Sequence, residues 1–225
     1  MPLDYLDRNE YRDIPLLKMI DNRHGDLPFF IRKYTLTPQG TSMHRHEYMQ
    51  INYVYRGRAK HIINNRELDI IKGDIFVIPP YIPHMINQWQ HSEAVIFEFE
   101  FNIDFVNESF DSMENMKSFL DFAYIEPFLV TGAQVKPRLN ISGKVQVEVE
   151  NLLNEALREF NEKRDSFVLL IKSLLLKLLI IVGREFNIAL EKSDDQPIYA
   201  RHRDAIYNAM NYIETNYTED ITMDD

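Results

Sequence analysis

The chain has 225 residues, 45% of them hydrophobic, and sets 25 Lys and Arg against 35 Asp and Glu for a formal net charge of −10. Such a chain buries a sizeable core and as a whole repels phosphate backbones and anionic membranes, so any nucleic-acid contact needs a local patch or another segment. With no cysteine it forms neither disulfides nor thiolate sites, and its start, "MPLDYLDRNEYRD", lacks the cationic and apolar regions of a secretion signal; a cytoplasmic protein is the expectation.

The first half of the chain has a period of two. "HRHEYMQINYVYRG", residues 44 to 57, is read as one strand with His44, His46, Tyr48, Gln50 and Asn52 on one face and Met49, Ile51, Tyr53 and Tyr55 on the other. The polar face points either to water or into a pocket. "KHIINNREL" gives two short strands around an Asn64-Asn65 turn, because Asn tolerates the positive φ of a tight hairpin. "KGDIFVIPPYIPH" gives a Gly73-Asp74 turn, a buried strand and a proline-rich stretch. "AVIFEFEF" alternates strictly, with Val95, Phe97, Phe99 and Phe101 opposite Ala94, Ile96, Glu98 and Glu100. Short strands between turns, with no helices interposed, predict an antiparallel sandwich or barrel.

Gly40, then His44-x-His46-x3-Gln50-x6-Gly57, and later Gly73-x5-Pro79-x4-His84 resemble the two-part motif of the cupin superfamily. That resemblance implies a small β-barrel inside which His44, His46, Gln50 and His84 converge, in many members on a divalent metal. Here the acidic position is Gln50 and the glycine of the second part is Tyr81. A neutral amide does not offset a metal's charge, so no cofactor is expected, with a metal held by His44, His46 and His84 as the alternative. Trp89 follows closely and either stacks on a sugar ring or fills space as most aromatics do. Arg56 and Arg58 flank Gly57 in a turn, where charges are ordinarily solvated.

The second half has a period of 3.6. Val145, Val149, Leu152, Leu153, Ala156, Leu157 and Phe160 follow Ser142 at helical spacing, and "FVLLIKSLLLKLLIIVGREF", 167 to 186, is a second helix after a cap at Asp165 or Ser166. Lys172, Lys177 and Arg184 cut that apolar run into pieces too short to span a bilayer, so no membrane contact is expected. The pair either completes a core or, with Leu175 and Leu179 as outward positions, forms a homodimer interface.

"EKSDDQPIY" then reads as a linker, and Ile206, Ala209, Met210, Ile213 and Tyr217 mark an amphipathic helix. In "EDITMDD", Thr222 and Asp225 have the spacing of a capping box, so a further helix is expected to start where the chain stops. Barrel, helical pair, linker and "AIYNAMNYIETNYTEDITMDD" together resemble the amino-terminal part of an AraC-type transcriptional regulator. This implies an α+β chain: a cupin-like jelly-roll barrel at 1–140, a helical dimerisation region at 141–190, a linker at 191–200, and at 201–225 the first helix of a truncated helix-turn-helix domain. It also implies a small-molecule effector, a sugar or related metabolite, held by His44, His46, Tyr48, Gln50, His84 and Trp89, with no catalysis. DNA would be contacted only through a part beyond residue 225. The competing reading is a metal-dependent cupin enzyme, an oxygenase or isomerase, whose ligands are the three histidines.

Overall fold

A computed structural model describes residues 7–21, 27–63, 65–89, 92–106 and 138–191, together with Tyr212 and Asn216. In the half with a period of two, the strands are β1 (Leu16–Leu17), β2 (Phe29–Thr35), β3 (Arg45–His46), β4 (Met49–Arg56), β5 (Arg58–Ile63), β6 (Arg66–Ile71), β7 (Asp74–Ile78), β8 (His84–Gln88) and β9 (Val95–Phe101). A short β10 (Leu139–Asn140) precedes two helices, α1 (Gly143–Glu162) and α2 (Phe167–Glu191). The strands form a five-stranded sheet in the order β10-β7-β4-β9-β2 and a three-stranded sheet β6-β5-β8, all antiparallel, with β1 and β3 as a small parallel pair. This is the expected α+β, cupin-like architecture.

Strict alternation lets the five-stranded sheet serve two cores. Its outer face, with Phe29, Ile31, Met49, Ile51, Tyr53, Phe97, Phe99 and Phe101, packs against Val149, Leu153 and Phe160 of α1 and Ile171, Leu175 and Leu179 of α2. Its inner face, with Val54, Phe76, Ile78 and Ile96, meets Ala59, Ile63 and Ile86 of the small sheet inside the barrel. One polar joint ties the layers together: the Tyr53 hydroxyl donates to Glu150 at 2.7 Å and accepts from Gln146 at 3.2 Å. Leu175 and Leu179 are therefore not outward positions; both are fully buried within the chain's own core. The expectation erred because a helix apolar around most of its girth does not reveal which side faces its own sheet. The exposed apolar residues of the helical pair are Val147, Leu169, Leu170 and Ile188. No helix among the described residues is long and apolar enough to cross a membrane.

Turn chemistry follows the sequence. Asn65 adopts a φ of 60° between β5 and β6, and Gly73 one of 89° before β7. Asp74 is buried, and its carboxylate accepts from Arg138, Asn140 and the Ile71 amide at 2.7 to 2.8 Å, pinning β10 to β7. Tyr81 stands at a φ of 66°, the left-handed conformation for which the cupin motif uses glycine. Gly57 is the tightest turn: its φ is +83°, and an added Cβ would fall 2.0 Å from the Glu93 carbonyl oxygen. Gly57→Ala is expected to destabilise the chain by roughly 2 to 4 kcal/mol, because strain at positive φ adds to a backbone overlap that nothing nearby relieves. Chemical denaturation checks this, and a loss under about 1 kcal/mol would mean the turn rearranges freely.

Of the linker read over 191–200, Glu191 is the last residue of α2; the remainder and the amphipathic helix read over 201–225 lie outside the described residues, apart from Tyr212 and Asn216.

Candidate functional site

The pairing of β2, β9, β4 and β7 lays polar residues across the inner face in two rungs. Arg32, Glu98 and Asn52 lie opposite one another on neighbouring strands, and so do Glu100 and Gln50. Glu98, Glu100, Gln50 and Asn52 are all buried, so each has to find a partner. Asn52 Nδ2 donates to Gln50 Oε1 at 2.9 Å, Gln50 Nε2 donates to Glu100 Oε1 at 3.1 Å, and the Tyr48 hydroxyl donates to the same oxygen at 3.0 Å. Arg32 Nε lies 2.5 Å from Glu98 Oε1. Loss of hydration and, after it, the neighbouring Glu98 charge raise the Glu100 carboxyl to about 8, so it is largely protonated at neutral pH.

The histidines reach the same end of the barrel by a different route from the one expected. The stretch from 44 is not one strand: β3 ends at His46 and β4 starts at Met49, and the break lets β3 pair with β1 while Glu47 accepts from the Met19 amide at 3.3 Å. His44 is held instead by an antiparallel bridge to His84, with backbone bonds of 3.1 and 2.9 Å. His44 and His46 donate from Nδ1 to the carbonyls of Ser42 and Tyr48 at 2.8 and 2.6 Å, which points Nε2 away from those bonds.

The ring of His84 lies 4.3 Å from that of His44 and 5.2 Å from that of His46. His61, which the sequence reading passed over, stacks on Phe76 at 4.6 Å and lies 5.7 Å from His84. Burial, chiefly, and the other imidazoles, less so, hold His46 and His61 down near 3 and His84 well below its ordinary range, so these three are neutral. Both ring nitrogens of His84, and Nε2 of His46 and His61, have no hydrogen-bond partner among the described residues.

These residues enclose a cavity of about 150 Å³. His44, Tyr48, Gln50 and His84 line it, joined by Arg32, Tyr34, Glu98 and Glu100, which the motif did not announce. His46 packs behind the lining, its ring stacked on Tyr48 at 4.6 Å. Trp89 is not among the lining residues; its ring lies under the Arg58 guanidinium at 3.9 Å, with Lys60 at 5.0 Å. The sequence did signal Glu98 and Glu100: they share a strand face with Ala94 and Ile96, while the opposite face is aromatic and needs cover.

As a metal centre the arrangement does not fit. Both ends of the Gln50 amide are engaged, by Glu100 and Asn52, and among the described residues no three His, Asp or Glu side chains are disposed to hold an ion. No chemistry is therefore routed through a metal. What the site offers is hydrogen bonding: imidazoles, a tyrosine, the Glu98 carboxylate beside Arg32 and the protonated Glu100 carboxyl, in a volume suited to a molecule of about the size of benzene or a small sugar.

A family model described as the AraC-like ligand binding domain matches residues 29–179. Among solved structures, the chain is similar to a cupin protein from Bacteroides fragilis, 16% identical, over 34% of this chain and 67% of that one, with a TM-score of 0.32. It is likewise similar to a cupin-like protein from Thermotoga maritima, 22% identical, over 38% of this chain and 66% of the other, with a TM-score of 0.34. A Cupin 2 conserved barrel domain protein from Salinispora arenicola is 18% identical over 37% and 71% of the two chains, with a TM-score of 0.33. No curated protein matches the chain.

Proposed function

We propose, from the premise that this chain belongs to the family of AraC-like ligand binding domains, that its barrel is the effector pocket of a ligand-responsive transcriptional regulator and takes a sugar or a related small polar metabolite. The observation that carries this reading is the cavity of about 150 Å³, lined mostly by hydrogen-bonding side chains together with Leu17, Phe30 and Ile86. A neutral imidazole presents one donor and one acceptor on different edges of its ring, so His84 can donate to one ligand oxygen or accept from a ligand hydroxyl. Gln50 and Tyr48 act one step back, holding Glu100 in place. In this reading the pocket binds and performs no catalysis. The metal-dependent enzyme alternative requires a ligand set that the described residues do not present.

Calorimetry against a panel of monosaccharides and their reduced and acidic relatives tests the reading. Replacing His84 by Ala is expected to weaken binding by about 1 to 3 kcal/mol, the usual effect of losing a buried hydrogen-bonding partner, with the circular dichroism spectrum unchanged. Wild-type affinity in that variant would place the ligand elsewhere. Homodimerisation through the helical pair and DNA contact through a further C-terminal segment belong to the same proposal. Support for the dimer is the exposed apolar set Val147, Leu169, Leu170 and Ile188.

A further inference from the structure

We infer that the effector of this barrel carries a protonated amine, seated between Glu98 and Glu100, in addition to hydroxyl groups. The inference rests on the reading of the cavity as the effector site and narrows the class of ligand that site selects.

Charge and geometry lead to it. Glu98 and Glu100 alternate along β9 on one face, so their attachment points are about 6 to 7 Å apart, a gap that one ammonium group bridges. Both line the cavity and both are buried, at 3% and 4% exposure. Among the described lining residues Arg32 is the one permanent cation; it engages Glu98 and is half exposed on its outer side. An anionic ligand would therefore meet the Glu98 carboxylate and the protonated Glu100 carboxyl, with the single arginine already engaged, which disfavours sugar acids and other carboxylates. An independent observation marks the opposite wall: His84, 2% exposed, lines the cavity with neither ring nitrogen bonded among the described residues. A molecule with an ammonium at one end and a hydroxyl at the other meets both demands.

The site also holds what the amine would replace. Glu98 on its own strand, Arg32 and Tyr34 on β2, Tyr48 ahead of β4, and His44 and His84 on the facing wall are the titratable and charged groups around Glu100. In that company the Glu100 carboxyl retains its proton up to about pH 8. Binding an ammonium is then an exchange: one cation enters, the Glu100 proton leaves to the buffer, and the charge of the site stays constant. Affinity for the amine accordingly rises with pH through the titration of Glu100 until the amine itself deprotonates, whereas a neutral isostere gains nothing.

The test uses the full 225-residue chain and matched pairs: D-glucosamine with D-glucose, D-galactosamine with D-galactose, and ethanolamine with ethylene glycol. Methyl NMR of Ile86, which lines the cavity, reports where each probe binds. At least one amine is expected to bind about tenfold or more tightly than its neutral partner near pH 7. Calorimetry of that amine in buffers of different ionisation enthalpy is expected to show close to one proton released per ligand. Glu100→Gln is expected to collapse the difference and the proton release together. Should that variant not fold, proton release by the wild-type chain still decides the question. Neutral members binding as tightly as their amines would overturn the inference and leave the effector reading standing. If no member of any pair moves the Ile86 methyl, both fall.

Discussion

Thermal stability of this chain is expected to peak near pH 6.5 and to fall on both sides, with the steeper loss on the acid side. His46, His61 and His84 are neutral in the fold and titrate far below the ordinary 6.5, His46 and His61 near 3. Below 6.5 the unfolded chain therefore binds protons that the folded chain does not, and stability drops as pH falls. Glu100 acts in the opposite sense: raised from 4.5 to about 8, it is protonated in the fold and ionised when unfolded across that interval, so stability drops as pH rises through it. Between 4.5 and 6.5 the three histidines outweigh the one carboxyl, and 3 − 1 = 2 protons give a slope on the order of 3 kcal/mol per pH unit. From 6.5 to about 8 Glu100 outweighs the three histidines, and the slope reverses at about half that magnitude. Melting curves across pH 4 to 9 check this. His61→Phe, which keeps the stack on Phe76, should shallow the acid limb, and Glu100→Gln should flatten the alkaline one. A flat profile from 5 to 8 would show that the barrel end is wet enough for these groups to titrate normally.

Charged replacement of Leu175 or Leu179 is expected to unfold the chain. Both side chains are fully buried between α2 and the outer face of the five-stranded sheet, so Leu175→Asp or Leu179→Asp places a carboxylate in an apolar interior and removes a large side chain from it. The loss is on the order of 4 kcal/mol or more, comparable to the whole stability of many domains. Leu169→Asp is the matched contrast: Leu169 is 66% exposed, and its replacement should leave the fold intact. Sedimentation of that variant then bears on the proposed homodimer, because losing an apolar anchor at a shared surface shifts the equilibrium toward single chains. If Leu175→Asp instead gives a folded monomer, α2 does not pack on the sheet as described.

What the sequence determined by itself is the material that depends on local order. Strict alternation in "AVIFEFEF" separated the face that meets the helices from the face that lines the barrel, because side chains on a strand have no third direction. Asn65, Gly57 and Gly73 mark turns because their backbones tolerate positive φ. The two helices were legible from their period, and the spacing of His44, Gln50 and His84 pointed to a shared cavity wall.

Only the tertiary structure decided the rest, and in each case the reason is a contact between residues distant in sequence. The register of β9 against β2 and β4 puts Glu98 beside Arg32 and Glu100 beside Gln50, turning a neutral residue at the motif's acidic position into a donor for a carboxylate 50 positions away. The pairing of β5 with β8 brings His61 into the histidine cluster, and the break after His46 moves that residue behind the cavity wall. Trp89 turns toward Arg58 because a cation on the neighbouring strand offers its ring a partner at 3.9 Å. Which flank of α2 meets its own sheet was equally undecidable from its sequence: Leu175 and Leu169 are the same residue type on the same helix, and only the position of the sheet makes one core and the other surface.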